Sequence, residues 1–155
     1  MSQIVGVGDV DGDGICDLIW RNTQSGDVAV WFISGFGLSH TPLLASHVPL
    51  AWQIVGVRDV DGDGNADLIW RNTQTGDVAV WLLSGGVVKQ SSVMAQAVPL
   101  GWQIMAFGDL DGDGRGDLIW RNVQTGDVAV WLMNGAAVTQ NSVVSTGVSL
   151  AWQIQ

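Results

Sequence analysis

The sequence predicts an all-β chain. It reads as a β-propeller segment of four-stranded antiparallel blades, three per chain, completed to six by a homodimer. Three observations predict this. First, the 155-residue chain repeats itself: Gln3-Ile4 recurs as Gln53-Ile54, Gln103-Ile104 and Gln153-Ile154, a period of 50 residues. Second, each repeat divides into four short, β-branched or aromatic runs separated by Gly, Asp, Ser and Asn clusters, which is strand and turn chemistry rather than helix chemistry. Third, each repeat carries the same Asp-rich loop between its first two runs. Four strands in a unit of 40 to 50 residues is the pattern of a propeller blade. A blade cannot bury both faces alone, so blades stack.

The units are residues 1–50, 51–100 and 101–150, with 151–155 restarting the repeat as an overlap at the ring joint. In the second unit the first strand is expected over 53–57. The second covers 68–71, ahead of the turn Thr75-Gly76-Asp77. The third covers 78–83. Val78, Val80 and Leu82 share one face there, and Ala79, Trp81 and Leu83 the other, so both faces are apolar and expected to be buried. A weaker fourth strand fits 88–95, ahead of Pro99-Leu100.

The Asp loops carry the chemistry. All 15 acidic residues are Asp, five per repeat. Four of each five form the spacing Asp-x-Asp-x-Asp-Gly-x-x-Asp: Asp9, Asp11, Asp13 and Asp17; Asp59, Asp61, Asp63 and Asp67; Asp109, Asp111, Asp113 and Asp117. Carboxylates this close repel one another by about 4 kcal/mol per pair at roughly 4 Å and an effective dielectric near 20. A hard divalent cation removes that cost. Gly14, Gly64 and Gly114 permit the sharp bend. Ile15, Asn65 and Arg115 are placed to offer backbone carbonyls. Oxygen-only donors on a flexible loop favour Ca²⁺, about one ion per repeat. Position 12 is Trp20, Trp70 or Trp120 instead of Glu, so the loop is not that of an EF-hand.

Gly8-Asp9-Val10-Asp11-Gly12-Asp13-Gly14 followed by Asp17-Leu18-Ile19, with its two later copies, resembles the FG-GAP and VCBS-type repeats. The resemblance implies calcium-binding propeller blades in which the Asp loop joins the first two strands. It covers the whole chain as three units. Trp-Arg-Asn stands where an integrin-like unit has Gly-Ala-Pro, so integrin-like ligand binding does not transfer. Some sugar-binding propellers belong to the same broad group.

The remaining composition excludes several functions. A formal charge of −9 with six Lys and Arg argues against nucleic acid and anionic membranes, and polar residues interrupt the uncharged stretch 128–155 too often for membrane insertion. Met1-Ser2-Gln3-Ile4 has no signal-peptide features. Cys16 is single, so no internal disulfide forms, and it reads as a small filler. His40 and His47 lack equivalents in the other repeats and read as surface residues. Arg21, Arg71 and Arg121 are expected to pair with an Asp of their own or a neighbouring blade. Asp27, Asp77 and Asp127 read as turn residues. Arg115-Gly116-Asp117 spells an adhesion tripeptide by coincidence, inside a metal loop. Trp31, Trp81 and Trp131 are expected in the blade-to-blade core, with Trp20, Trp70 and Trp120. Trp52, Trp102 and Trp152, at the blade junctions, are candidates for packing or for stacking on a sugar ring.

No repeated nucleophile or acid–base pair is present, so the chain reads as non-enzymatic. It is expected to be a structural or interaction module, with a lectin as the alternative. Its expected partners are itself, head to tail, and glycans or extracellular proteins. Trp152 of one copy is expected to fill the place before Gln3 of the next. Sites of this calcium class suggest an extracellular or cell-surface setting for the parent protein.

Overall fold

The computed structural model describes residues 1–154 and consists of three antiparallel sheets. Sheet 1 contains β1 (Ser2–Gly8), β2 (Asp17–Asn22), β3 (Val28–Ser34), β4 (Gly37–His40) and β5 (Leu43–Ala45). Sheet 2 contains β6 (Trp52–Arg58), β7 (Asp67–Asn72), β8 (Val78–Ser84) and β9 (Val87–Ala95). Sheet 3 contains β10 (Trp102–Gly108), β11 (Asp117–Asn122), β12 (Val128–Asn134) and β13 (Ala137–Ser145). Among the described residues no helix is long and apolar enough to cross a membrane.

Each sheet is a meander in which consecutive strands pair, except that in sheet 1 both β4 and β5 pair with β3. The registers repeat: Leu18 faces Trp31, Leu68 faces Trp81 and Leu118 faces Trp131. The first strand of every sheet carries a bulge, at Ile4/Gly6, Ile54/Gly56 and Ile104/Ala106, and a bulge bends its strand and tightens its twist. Sheet 1 differs in its fourth strand, which is broken into β4 and β5. Pro42 stands where Ser92 pairs with Val80 in sheet 2. Proline has no N–H to give a ladder, and only its carbonyl is engaged, by Val30 N–H at 3.1 Å.

The sheets stack through two apolar layers. Val10, Ile19, Val28, Val30 and Phe32 of the first unit meet Ala66, Leu68, Trp70, Ala79 and Leu83 of the second. Val60, Ile69, Val78, Val80 and Leu82 of the second then meet Leu118, Trp120, Ala129, Trp131 and Met133 of the third. The first strands are adjacent, β1 beside β6 and β6 beside β10, so the sheets fan out from that edge. The two-sided burial expected for the third strand holds in β8. It does not hold for Trp31, which is 36% exposed because no sheet covers that side of sheet 1.

Backbone hydrogen bonds reinforce each layer. Ala66 N–H donates to Asp9 O at 2.6 Å, and Gly116 N–H to Asp59 O at 2.7 Å. The hairpin turns add Gly86 N–H to Val10 O and Gly135 N–H to Val60 O.

The arginines act differently from expectation. Among the described residues none of Arg21, Arg71 and Arg121 forms an ion pair with an Asp. Arg71 donates to the carbonyls of Gly76, Val98, Pro99 and Trp102, and its guanidinium lies 5.3 Å from the ring centre of Trp120. Arg21 repeats this with Gly26, Val48, Pro49 and Trp52, over Trp70. Each arginine therefore clamps the chain where it crosses to the next sheet, because a planar guanidinium can serve several carbonyls at once. Gly76, at φ +79°, makes the clamp possible: a Cβ there would lie 2.1 Å from Val98 O.

Candidate metal centre

The three Asp loops join the first and second strands of each sheet, β1 to β2, β6 to β7 and β10 to β11. Each is wound by its own carboxylates. The first Asp gathers the loop amides: Asp59 accepts from Gly62 N–H at 2.7 Å and Gly64 N–H at 2.9 Å, and Asp9 and Asp109 repeat both bonds and also accept from Asp13 and Asp113 N–H at 3.1 Å. The second Asp accepts from the N–H of the third, at 3.2 Å in every loop. The third accepts from Ile15, Asn65 or Arg115 N–H at 2.7 to 2.9 Å. Gly14, Gly64 and Gly114 hold φ near +86°, the left-handed bend that favours glycine.

The fourth Asp is the buried one. Asp17 and Asp67 are fully buried and Asp117 nearly so. Asp67 accepts from Val60 N–H at 3.0 Å and from Leu83 N–H at 2.9 Å. Asp17 and Asp117 hold the equivalent pairs, Val10 with Ile33 and Leu110 with Met133. This residue thus ties the loop to the third strand of its own sheet. Burial pushes the Asp67 carboxyl up to about 7; its two amide bonds oppose this, and Asp61 and Asp59 add to it. Burial also raises Asp17. A cation at the loop would favour the charged form of both.

Carboxylate oxygens converge within 4.8 Å in each loop: Asp9, Asp11 and Asp13; Asp59, Asp61 and Asp67; Asp109, Asp111 and Asp117. The first loop therefore brings in its third Asp, and the other two bring in their fourth. The donor set is oxygen only, which suits a hard cation. The second loop shows directly that it can hold positive charge. The Lys89 ammonium is 2.7 Å from Asp61 Oδ2 and also bonds Asp63 Oδ2. In the third loop Arg115 Nη1 is 2.6 Å from Asp113 Oδ2, and its Nε reaches Asp61 O of the second loop at 3.3 Å. Burial raises Asp63, and the Lys89 and Asn65 hydrogen bonds outweigh it, leaving the group below the usual carboxylate range. Lys89 is the one functional side chain here that the sequence reading passed over. It is the sole lysine of the chain, a signal that was open to view but lies in the part of the repeat that drifts most.

The other candidates separate cleanly. Trp52 and Trp102 pack against the two inter-sheet layers, whereas Trp152 is 73% exposed. All three line equivalent grooves. Trp52 stands beside Gln3, Gln53 and Arg21, Trp102 beside Gln53, Gln103 and Arg71, and Trp152 beside Gln153 and Arg121. Ser2 pairs with Asn22 as Trp52 pairs with Asn72, so Ser2 already holds the backbone place expected to await Trp152. Gly116 and Asp117 are buried and Arg115 is ion-paired, so that tripeptide is not displayed. Asp27, Asp77 and Asp127 do more than turn a hairpin: each accepts the N–H of a residue 20 positions on, His47, Ala97 or Gly147.

No curated protein matches the chain. A family model described as an FG-GAP-like repeat matches residues 9–70 and again 59–120. Each match opens on the first Asp of one loop and closes on the Trp after the last Asp of the next, so what it recognises is the loop-to-loop unit described above. With that unit found twice in register, the chain belongs to the FG-GAP-like repeat family.

Proposed function

We propose that this chain is a non-enzymatic scaffold that holds Ca²⁺ in its Asp loops, and that its sheets are blades of a six-bladed ring formed head to tail with a second copy. The observation that carries the reading is the complementarity of the two open faces. Sheet 1 is uncovered on its Trp31 side, and sheet 3 on the side of Val128, Val130 and Leu132. Those are the two halves of the layer that already forms twice within the chain. The polar parts match as well. Cys16 is the counterpart of Ala66 and Gly116, whose N–H groups bond Asp9 O and Asp59 O, and Asp109 O is the acceptor next in that series. Two such joints are identical by two-fold symmetry.

The experiment is light scattering at micromolar concentration with Ca²⁺ present. Twice 16.4 kDa supports the ring, and 16.4 kDa overturns it. Calcium is tested separately by melting in excess chelator. A ligand that binds the folded state stabilises it by mass action, so the melting temperature should fall, and an unchanged curve removes the ion from the reading. An extracellular or cell-surface setting goes with loops of this calcium class.

The three equivalent Trp grooves favour a second reading, carbohydrate binding, since an indole face and carboxamides suit a sugar ring. Binding on a glycan array that weakens in Trp152→Ala, with the Trp52 and Trp102 grooves intact, supports it, and an array with no signal removes it.

A further inference from the structure

We propose that Lys89 is the resident cation of the second loop, so that this loop holds its shape without a metal ion and takes Ca²⁺ more weakly than the loops at Asp9 and Asp109. The proposal rests on the calcium reading only for its second half.

The three loops have the same carboxylates and nearly the same backbone bonds, so the differences between them come from the seventh loop residue (Ile15, Asn65 or Arg115) and from what overhangs the loop. The overhanging residue is the third of the fourth strand, just past the hairpin turn. In sheet 2 it is Lys89; in sheets 1 and 3 it is Ser39 and Thr139. Lys89 places its ammonium on Asp61 Oδ2 at 2.7 Å and on Asp63 Oδ2. Ser39 and Thr139 turn elsewhere, Ser39 Oγ to His40 Nδ1 and Thr139 Oγ1 donating to Leu132 O.

The carboxylates rearrange accordingly. In the first loop, with no ion pair among the described residues, the third Asp joins the convergent trio. In the second and third loops the third Asp is outside it, held by Lys89 or Arg115. Arg115 bonds Asp113 alone among the carboxylates of its loop and leaves Asp109, Asp111 and Asp117 convergent. Lys89 goes further, because Asp61 is itself one of the trio. A dication entering the second loop must displace an ammonium from two carboxylates, whereas in the first it meets free lone pairs. A partly exposed pair of this kind is worth about 1 kcal/mol, which corresponds to roughly a fivefold difference in affinity.

The test compares the wild-type chain with Lys89→Ser, which installs the residue that sheet 1 already carries and so preserves the fold. In calorimetric titration with Ca²⁺, the wild type should show two tighter sites and one about fivefold weaker. Lys89→Ser should bring the weak site level with the others. A wild type with three equal sites, or a variant with an unchanged weak site, overturns the proposal. Melting in excess chelator reads the resident cation without any metal. There Lys89→Ser should melt below the wild type, and equal melting overturns the proposal. Should neither protein bind Ca²⁺, the calcium reading falls, and the chelator comparison still decides for or against Lys89.

Discussion

The middle sheet and the outer sheets contain the same six-residue strand, Asp-Leu-Ile-Trp-Arg-Asn, and treat it differently. In β7 all six residues are buried. In β2 burial alternates, with Leu18, Trp20 and Asn22 only half-buried. In β11 Ile119 and Asn122 are the ones left half-buried. The third strands divide the same way: β3 buries Val28, Val30 and Phe32, and β12 buries Ala129, Trp131 and Met133, on the opposite face. Burial here belongs to the joint between sheets rather than to the strand. The sequence can declare both faces apolar, but only a neighbour makes either face a core.

The strongest way to break that comparison is to remove the same indole from a covered and an open face. Trp70 is 1% exposed, so Trp70→Ala should cost about 3–5 kcal/mol, as large core truncations do. Trp20→Ala should cost roughly half as much, read as the shift in urea midpoint at a concentration where the chain is monomeric. Raising the protein concentration should bring the two costs together if a second copy covers sheet 1. Equal costs in the monomer would contradict the view that neighbours confer the burial.

The clamps offer the next largest contrast. Arg71 reaches four carbonyls and lies over Trp120, whereas Arg121 reaches Val148 O and Ser149 O, with no indole of a following sheet beneath it. Arg71→Met leaves buried carbonyls unserved, at about 3 kcal/mol. Arg121→Met should cost about half of that, and equal losses by denaturant titration would show that neither the two extra carbonyls nor the stacking on Trp120 adds to the clamp.

Phe36 sharpens the comparison from the outside. It is fully exposed at the β3–β4 turn. Its counterparts are inside: Gly86 is buried beneath the Phe32 ring, and Ala136 packs on the second layer. In the proposed ring, the same placement would set Phe36 against the Leu132 side of a second copy. Phe36→Ala should leave monomer stability unchanged and weaken association at least tenfold, given about 1.5–3 kcal/mol for burying a phenyl group. Sedimentation equilibrium would measure it, and unaltered association would place Phe36 outside the joint.

How much of this was legible in the sequence depended on range. The period, the strand order and the Asp loops come from local chemistry, because a turn must be built from Gly, Asp and Asn wherever it occurs. The Arg21 clamp was not legible, since three of its four acceptors lie 27 to 31 residues away and all are carbonyls that every residue carries. Lys89 was missed for a related reason: its partners are 26 and 28 residues back, and no spacing rule spans a hairpin of that length. The break at Pro42 was readable, and the repeat logic masked it because the other two units have Ser at that position.

Two smaller effects follow from the crossings between sheets. His47, Ala97 and Gly147 all occupy the left-handed region, at φ 55°, 52° and 63°. A Cβ there costs about 1–2 kcal/mol, partly offset by the extra unfolded-state freedom of glycine. Ala97→Gly should therefore stabilise by about 0.5 kcal/mol, and Gly147→Ala should destabilise by about 1 kcal/mol, both read as shifts in melting temperature. A loss of stability in Ala97→Gly would mean that the crossing after sheet 2 is held by something other than its backbone shape.

The smallest effect is electrostatic and lies at the crossing after sheet 1. Asp27 is held below the usual carboxylate range, first by its bond with Ser25 and then by His47 N–H, 3.0 Å away. Its folded-state value is lowered, so its contribution is complete above the ordinary carboxylate pKa. That contribution is lost as pH falls through the lowered value, where the acid form can no longer accept both bonds as well. Asp27→Asn keeps one carbonyl-type oxygen for His47 N–H and removes the charge. Near neutral pH its melting temperature should lie slightly below the wild type. The two curves should meet as pH drops below that lowered value, because the wild-type group is then neutral too. A gap that persists undiminished into acid would show that the side chain acts at the crossing through shape rather than charge.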